Sequence, residues 1–542
     1  MVPKFIIAVV FLFLNISLAF SQDSLHHAAG LIGLEFNDIE IDSMLPGLAE
    51  RRKDYESIRK VDLPNYIPPA LHFNPLPVGF YPEQTQNPII WHLPNEITLP
   101  SNKADLAFFS IGQLAALIKS KRISSTELTQ FFLDRLKRFG DTLQAVVTIT
   151  EQLALDQARR ADQEIANGIY RGPLHGIPYG AKDLLSMPGY KTTWGAMPYK
   201  DQILSDTATV IRKLEESGAV LIAKLTLGAL AWGDVWYGGI TKNPWDLEQG
   251  SSGSSAGSAS ATVAGLVPFA IGTETWGSIV SPSTRCGATG LRPTFGRVSR
   301  AGAMALSWSM DKIGPICRSA DDCALVFEAI HGSDGKDYTV IDAAFNYESD
   351  IDITKLKVGF FENEFDRSEY NRRNDSTTLD LLRRMGIELH PVTFDIKTPI
   401  NALNFILSAE AAAAFDDLTR SGADDKMVRQ IRRAWPNVFR EARFIPAVEY
   451  IQANRIRNQL IEEMHTVMQE YDVILTPSFG PQLLATNLTG HPCVTVPNGL
   501  IEGHPASISF LGNLFDEAKI LALAGAFQSA TDHEDRHPPF FK

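Results

Sequence analysis

The chain has 542 residues, 44% hydrophobic and 21% charged, with no repeat period or long charge run, which excludes a disordered or solenoid protein and calls for a sizeable core. Its formal net charge of −13 disfavours nucleic acid or an anionic membrane surface as partner and leaves small-molecule or peptide substrates. Four cysteines, Cys286, Cys317, Cys323 and Cys493, are too few for a disulfide framework; only Cys317 and Cys323 are close, and no bridge between them is expected.

In chain order, Lys4 precedes an apolar run from Phe5 to Leu14, and Ala19 and Ser21 stand at −3 and −1 of a cut before Gln22. This reads as a signal peptide over residues 1–21 and a secreted or periplasmic protein. Asn15 and Ser17 interrupt the run short of the ~20 apolar residues that a membrane span needs. Residues 22–103 form a helical and proline-rich extension: nine prolines between 64 and 100 forbid a regular helix or central strand. Interleaved Tyr66, Phe73, Phe80, Tyr81 and Trp91 predict an arm packed over the main body.

Residues 104–542 alternate helices with short apolar strands. Ser124 and Glu127 form a capping-box pair that opens a helix through Leu136, and a second helix runs from about Glu151 to Ala166. "HGIPYGAKDLL" is a strand or strand end, "DTATVIRKLEESG" a helix and "AVLIAKL" a buried strand. "LVPFAIGTE", "LKVGFF", "DVILTP", "PCVTVP" and "ASISFL" supply further strands, and "EAKILALAGAFQSA" a closing helix. The alternation predicts an α/β fold, a β-sheet core layered by helices.

"GSSGSSAG", residues 250–257, fits no regular element. A linker needs polar flanks, yet "ASATVAGLVPFAIG" follows at once. A phosphate cradle needs a lysine, and none lies between Lys242 and Lys312. Gly253, Ser255 and Gly257 satisfy G-x-S-x-G, which would make Ser255 the nucleophile of a serine esterase, but the polar "NPWDLEQ" before it with Pro244 is no buried strand. Downstream, "GTETWGS" ends an apolar strand with Ser278 in a tight turn; upstream, Lys182 is the only fixed charge in "HGIPYGAK", where burial would lower its pKa toward that of a useful base. Two serines and a lysine suffice for a hydrolase without histidine.

Over about Leu106 to Phe527 the chain resembles the amidase signature family, on "LHGIPYGAKD", "KNPWD", "GSSAGS" from Gly253, "GTETWGS" from Gly272, "CG" at Cys286, "GLRPTFGRVSR" from Gly290 and "NLTGHPCVTVPNG". The resemblance implies a mixed sheet covered by helices on both faces and cofactor-free hydrolysis of a carboxylic amide. It implies Ser278 as the nucleophile, Ser254 on a cis peptide as the bridging serine, and Lys182 as the base. The backbone N–H groups of Thr275, Trp276, Gly277 and Ser278 would form the oxyanion hole, with Trp276 standing where the family has glycine and proposed to touch substrate. The acyl pocket would be lined by segments that vary in the family, residues 340–450 among them. Alternatives are an inactive binding protein on this scaffold, favoured by Trp276 alone, and a glutaminase-type amidotransferase subunit, disfavoured by the export signal and acidic charge.

Other polar residues read as structural. Asp183, Arg297 and Glu274 suit ion pairs or hydrogen bonds, and Cys286 suits packing. His175, His491 and His504 lie in loops without ligand spacing, so no metal site is expected. Asn374 and Asn487 begin glycosylation sequons.

Overall fold

The computed structural model describes residues 22–61, 64–67, 69–94 and 97–542; the expected signal peptide, 1–21, lies outside the described residues. Two compact units divide the chain, one of residues up to Pro64 with Phe444–Pro446, the other Asn65–Arg443 with Ala447–Lys542. The first holds helices Gln22–Leu31 and Asp38–Ile58. The second of these starts on a reciprocal cap: Glu40 N–H donates to Asn37 Oδ1 at 3.0 Å and Asn37 N–H to Glu40 Oε2 at 2.8 Å. Among the described residues no helix is long and apolar enough to cross a membrane.

In the second unit, the described residues from Asn65 to Asn102 form no helix or strand, the result of their proline density. The arm packs on the body through Phe73, Phe80 and Trp91, while Tyr66 and Tyr81, also expected to pack, stay exposed. Pro75 and Pro77 are buried, Phe73 meets Phe295 edge-on at 5.0 Å, and Trp91 lies 5.7 Å from Tyr347.

The body is built on an eleven-stranded sheet. Its strands are β1 Val146–Ile149, β2 Pro178–Lys182, β3 Val220–Leu225, β4 Phe269–Glu274, β5 Thr289–Arg292, β6 Lys312–Cys317, β7 Val358–Phe361, β8 Leu389–Val392, β9 Val473–Pro477, β10 Cys493–Ile501 and β11 His504–Gly512. They lie in the order β1-β3-β2-β4-β6-β5-β10-β11-β9-β7-β8. β2 runs parallel to β3 and β4, and β7 parallel to β8 and β9, while the remaining neighbours are antiparallel, so the sheet is mixed. Every residue of β2, β3 and β4 is buried, which is why these strands read as continuous apolar runs without alternation. Helices flank the sheet. Among them are Ser125–Leu143, opened by the expected Ser124–Glu127 capping box, and Glu151–Ala166, with the bounds that its periodicity predicts.

"NPWDLEQ" lies outside this sheet, in a two-stranded hairpin of Lys242–Asn243 with Asp246–Gly250. Trp245 Nε1 donates from it to the Cys286 carbonyl at 2.8 Å. All four cysteines are buried and free, so Cys317 and Cys323 form no bridge.

Candidate active site

β2 and β4 lie side by side, with Ala181 opposite Ile271, and both end at the same edge of the sheet. Lys182 is the last residue of β2 and has no exposed surface. The glycine and serine loop comes to it at the start of helix Ala256–Val263, whose small residues are all buried. Small residues let that helix lie close against the strands. Gly253 has no alternative, because a Cβ there would stand 1.9 Å from the Gly233 carbonyl oxygen. A cis peptide joins Gly253 to Ser254.

Lys182 Nζ lies 2.8 Å from Ser254 Oγ, 3.1 Å from Ser255 Oγ, 2.8 Å from Thr273 Oγ1 and 3.3 Å from the Thr273 carbonyl. Burial pulls its ammonium down to about 7, against the opposing pull of Asp311 and Glu274. A neutral amine has two hydrogens and one lone pair, and two of these four partners can only accept. The Thr273 carbonyl is one. Ser255 Oγ is the other, since its own hydrogen goes to the Thr273 carbonyl at 3.0 Å. The lone pair is therefore left to the hydroxyl hydrogen of Ser254 or Thr273.

The same geometry removes Ser255 as a nucleophile. Its oxygen also accepts the Thr273 N–H at 3.1 Å, and the residue is fully buried. Ser278, by contrast, is half-buried, and its hydroxyl has no hydrogen-bond partner among the described residues. The Ser255 N–H donates to the Ser278 carbonyl at 3.1 Å and ties the turn to the loop. Thus Lys182 and Ser254 are in contact, Ser278 is held beside them through backbone, and no hydrogen bond joins the Ser254 and Ser278 hydroxyls.

The turn from Thr275 to Ser278 is braced at both ends. Gly277 sits at φ +85°, a conformation that glycine adopts freely. At the far end, Glu274 Oε2 accepts the N–H groups of Ile279 at 2.8 Å and Val280 at 2.9 Å. Its Oε1 accepts Arg292 Nη1 at 2.9 Å and Asn487 Nδ2 at 2.8 Å. Burial pushes the Glu274 carboxyl up, but Arg292 and the Val280 N–H outweigh it and hold it at about 2. At the near end, Thr275 Oγ1 donates to Asp311 Oδ1 at 2.5 Å, and Asp311 Oδ2 accepts the N–H groups of Leu306 and Ser307 at 2.8 and 2.9 Å. Between the braces, the N–H groups of Thr275, Trp276, Gly277 and Ser278 have no acceptor among the described residues. Unpaired donors beside a hydroxyl are what an oxyanion site requires.

Trp276 is 42% exposed, so its indole is not a core group. Asp183 pairs with Lys224 at 2.7 Å, Glu274 with Arg292, and Arg297 with Glu517 at 3.3 Å, all fully buried. Burial pushes the Cys286 thiol well up, and pulls the His491 imidazole down to about 3. Among the described residues no three His, Cys, Asp or Glu side chains are placed to hold a metal ion. Asn487 is fully buried with its amide spent on Glu274, so the folded chain does not offer that sequon. Thr273, Arg292 and Asn487 lie inside motifs that sequence reading picked out, without a role there; Asp311 lies outside them, 33 residues beyond Ser278.

The fold is that of amide-hydrolysing enzymes: the amidase family pattern matches residues 127–485, and the chain belongs to that family. It is 32% identical to a glutamyl-tRNA(Gln) amidotransferase subunit from Coxiella burnetii over 477 residues, covering 79% of this chain and 99% of the relative. The native peptide amidase of Stenotrophomonas maltophilia superposes with a TM-score of 0.73 at 28% identity, over 81% of this chain and 100% of that one. A bacterial aryl acylamidase shares the fold at 22% identity, with a TM-score of 0.70 over 79% of this chain and 98% of that one.

Proposed function

We propose that the chain hydrolyses carboxylic amides through an acyl-enzyme on Ser278. Neutral Lys182 takes the Ser254 proton while Ser254 takes that of Ser278, and Ser278 Oγ adds to the amide carbon. The carbonyl oxygen gains the electron pair and rests on the N–H groups of the turn, each well-placed donor worth about 3 to 4 kcal/mol. As the tetrahedral centre collapses the C–N bond breaks, and the proton returns through Ser254 to the departing amine. Water then adds to the ester carbon, its proton passing to the same relay, and the acid leaves as Ser278 regains its hydrogen. The observation that carries this reading is a fully buried lysine, poised to titrate near 7, at 2.8 Å from Ser254 Oγ.

The exposed indole of Trp276, two residues before Ser278, supports a role as a wall of the acyl pocket. Aromatic side chains supply large rigid contact area, which narrows a pocket or stacks on a flat group. The test is an amide series of graded acyl bulk, offered to the wild type and to Trp276→Gly. The wild type should release acid and amine in equal amounts. The variant should melt within a few degrees of it, because truncating a surface side chain costs roughly 0.5 kcal/mol or less, while its ratio of turnover on bulky and short amides changes. No release from any amide contradicts the proposed hydrolysis; release with an unchanged ratio contradicts the pocket wall.

The amidotransferase relatives favour a second reading, in which the chain serves as one component of a larger assembly. Full activity on free amides by the isolated chain decides for the first.

A further inference from the structure

The proline-rich arm connects to both braces of the turn that carries Ser278, each through one or two intermediate residues. The Asn65 side-chain amide holds the Ala305 backbone by two bonds, its Oδ1 accepting the Ala305 N–H at 2.7 Å and its Nδ2 donating to the Ala305 carbonyl at 2.9 Å. The next two residues, Leu306 and Ser307, are those whose N–H groups bind the Asp311 carboxylate, and Asp311 receives Thr275. Further along the arm, the Phe73 ring lies 3.6 Å from the guanidinium carbon of Arg457. Arg457 is 1% exposed and spends its donors on two segments at once. Nη1 and Nη2 reach the Ser309 hydroxyl and carbonyl at 2.7 and 2.8 Å, in the segment that binds Asp311. Nε reaches the Leu488 carbonyl at 2.6 Å, next to the Asn487 that holds Glu274.

We propose that the arm is part of the catalytic unit: Asn65 and Phe73 are positioning residues that set the turn from Thr275 to Ser278 through Ala305, Arg457 and the two carboxylates. This inference rests on the acyl-enzyme reading of Ser278. Its physical basis is that a buried guanidinium joining a loop to the helix Pro481–Thr489 has a defined place only while its flat face is covered and its donors are met. Phe73 covers that face, and Phe295 meets Phe73 edge-on behind it. Oxyanion donors misplaced by a fraction of an ångström lose their advantage in the transition state while ground-state binding is little changed. The arm's effect therefore belongs in kcat rather than KM.

The experiment compares the full-length wild type with Phe73→Ala, Phe73→Tyr, Phe73→Leu and Asn65→Ala, at a temperature where circular dichroism shows each folded. It reads kcat, KM and the rate of Ser278 labelling by a fluorophosphonate. Phe73→Ala should lose about tenfold or more in kcat and in labelling rate with KM within about threefold, as expected for a small displacement at a reacting centre. Phe73→Tyr keeps the aromatic face and should restore the rate. Phe73→Leu keeps apolar bulk without that face and should not. Asn65→Ala should show the same split as Phe73→Ala to a smaller degree, and decides the matter if Phe73→Ala does not fold. Variants that melt earlier but turn over and label at the wild-type rate, or that rise in KM alone, overturn the proposal. A wild type that is not labelled at Ser278 refutes the acyl-enzyme reading instead.

Discussion

Ser278→Ala should fold as the wild type does and lose amide hydrolysis by roughly 10⁴-fold or more, the scale seen when an acyl-transfer nucleophile is removed. The fold survives because the Ser278 hydroxyl holds nothing in place. The turn is fixed by Gly277, by the Ser255 N–H on the Ser278 carbonyl, and by Glu274 and Asp311 at its ends. Turnover and melting temperature measured on one preparation check this. A folded Ser278→Ala protein with appreciable turnover would show that another group attacks the amide. Ser255 could not take over, because its hydrogen is committed to the Thr273 carbonyl and its oxygen accepts both Lys182 and the Thr273 N–H.

Lys182→Met should lower turnover by about 10² to 10⁴, the usual share of a positioned acid or base. It should also erase the acidic limb of the pH profile. In the wild type only neutral Lys182 can accept the Ser254 proton, and burial sets its folded value at about 7. Activity should therefore rise with pH through about 7 and fall roughly tenfold per unit below it. Stability carries the same signature. Between about 7 and the ordinary 10.5 the unfolded chain binds a proton on this lysine that the folded chain lacks. Folding stability should then rise with pH across that window by up to about 1.4 kcal/mol per unit, and that gain is lost as pH falls back toward 7. Methionine fills similar space without a proton, so Lys182→Met should flatten this part of the curve. A variant with the wild-type pH profile would show that a different residue titrates.

Much of the strand pattern was legible because buried strands leave continuous apolar runs: "AVLIAKL" and "DVILTP" became β3 and β9 at nearly their expected bounds. The order of strands was not legible. β2 lies between β3 and β4, and no local pattern states such pairings across the chain. Lys182 and Ser278 stood out because each is a reactive side chain set among small or apolar neighbours, whereas Ser254 was singled out from the adjacent serines only by the resemblance to the amidase signature family. Their supports did not, because those bonds bridge long separations: Asn487 to Glu274 spans 213 residues and Arg457 to Ser309 spans 148. Asn487 even carried a misleading signal, a surface sequon on a residue that the fold buries. Trp276 could be seen as unusual, but only the fold shows that its indole faces outward.

The most direct measurement of the central claim is to treat the wild-type protein with a broad fluorophosphonate, digest it and locate the adduct by mass spectrometry. A single adduct on the Ser278 hydroxyl, formed faster as pH rises through about 7, is the predicted result. An adduct on Ser255, or no adduct in a folded protein that hydrolyses amides, would contradict it.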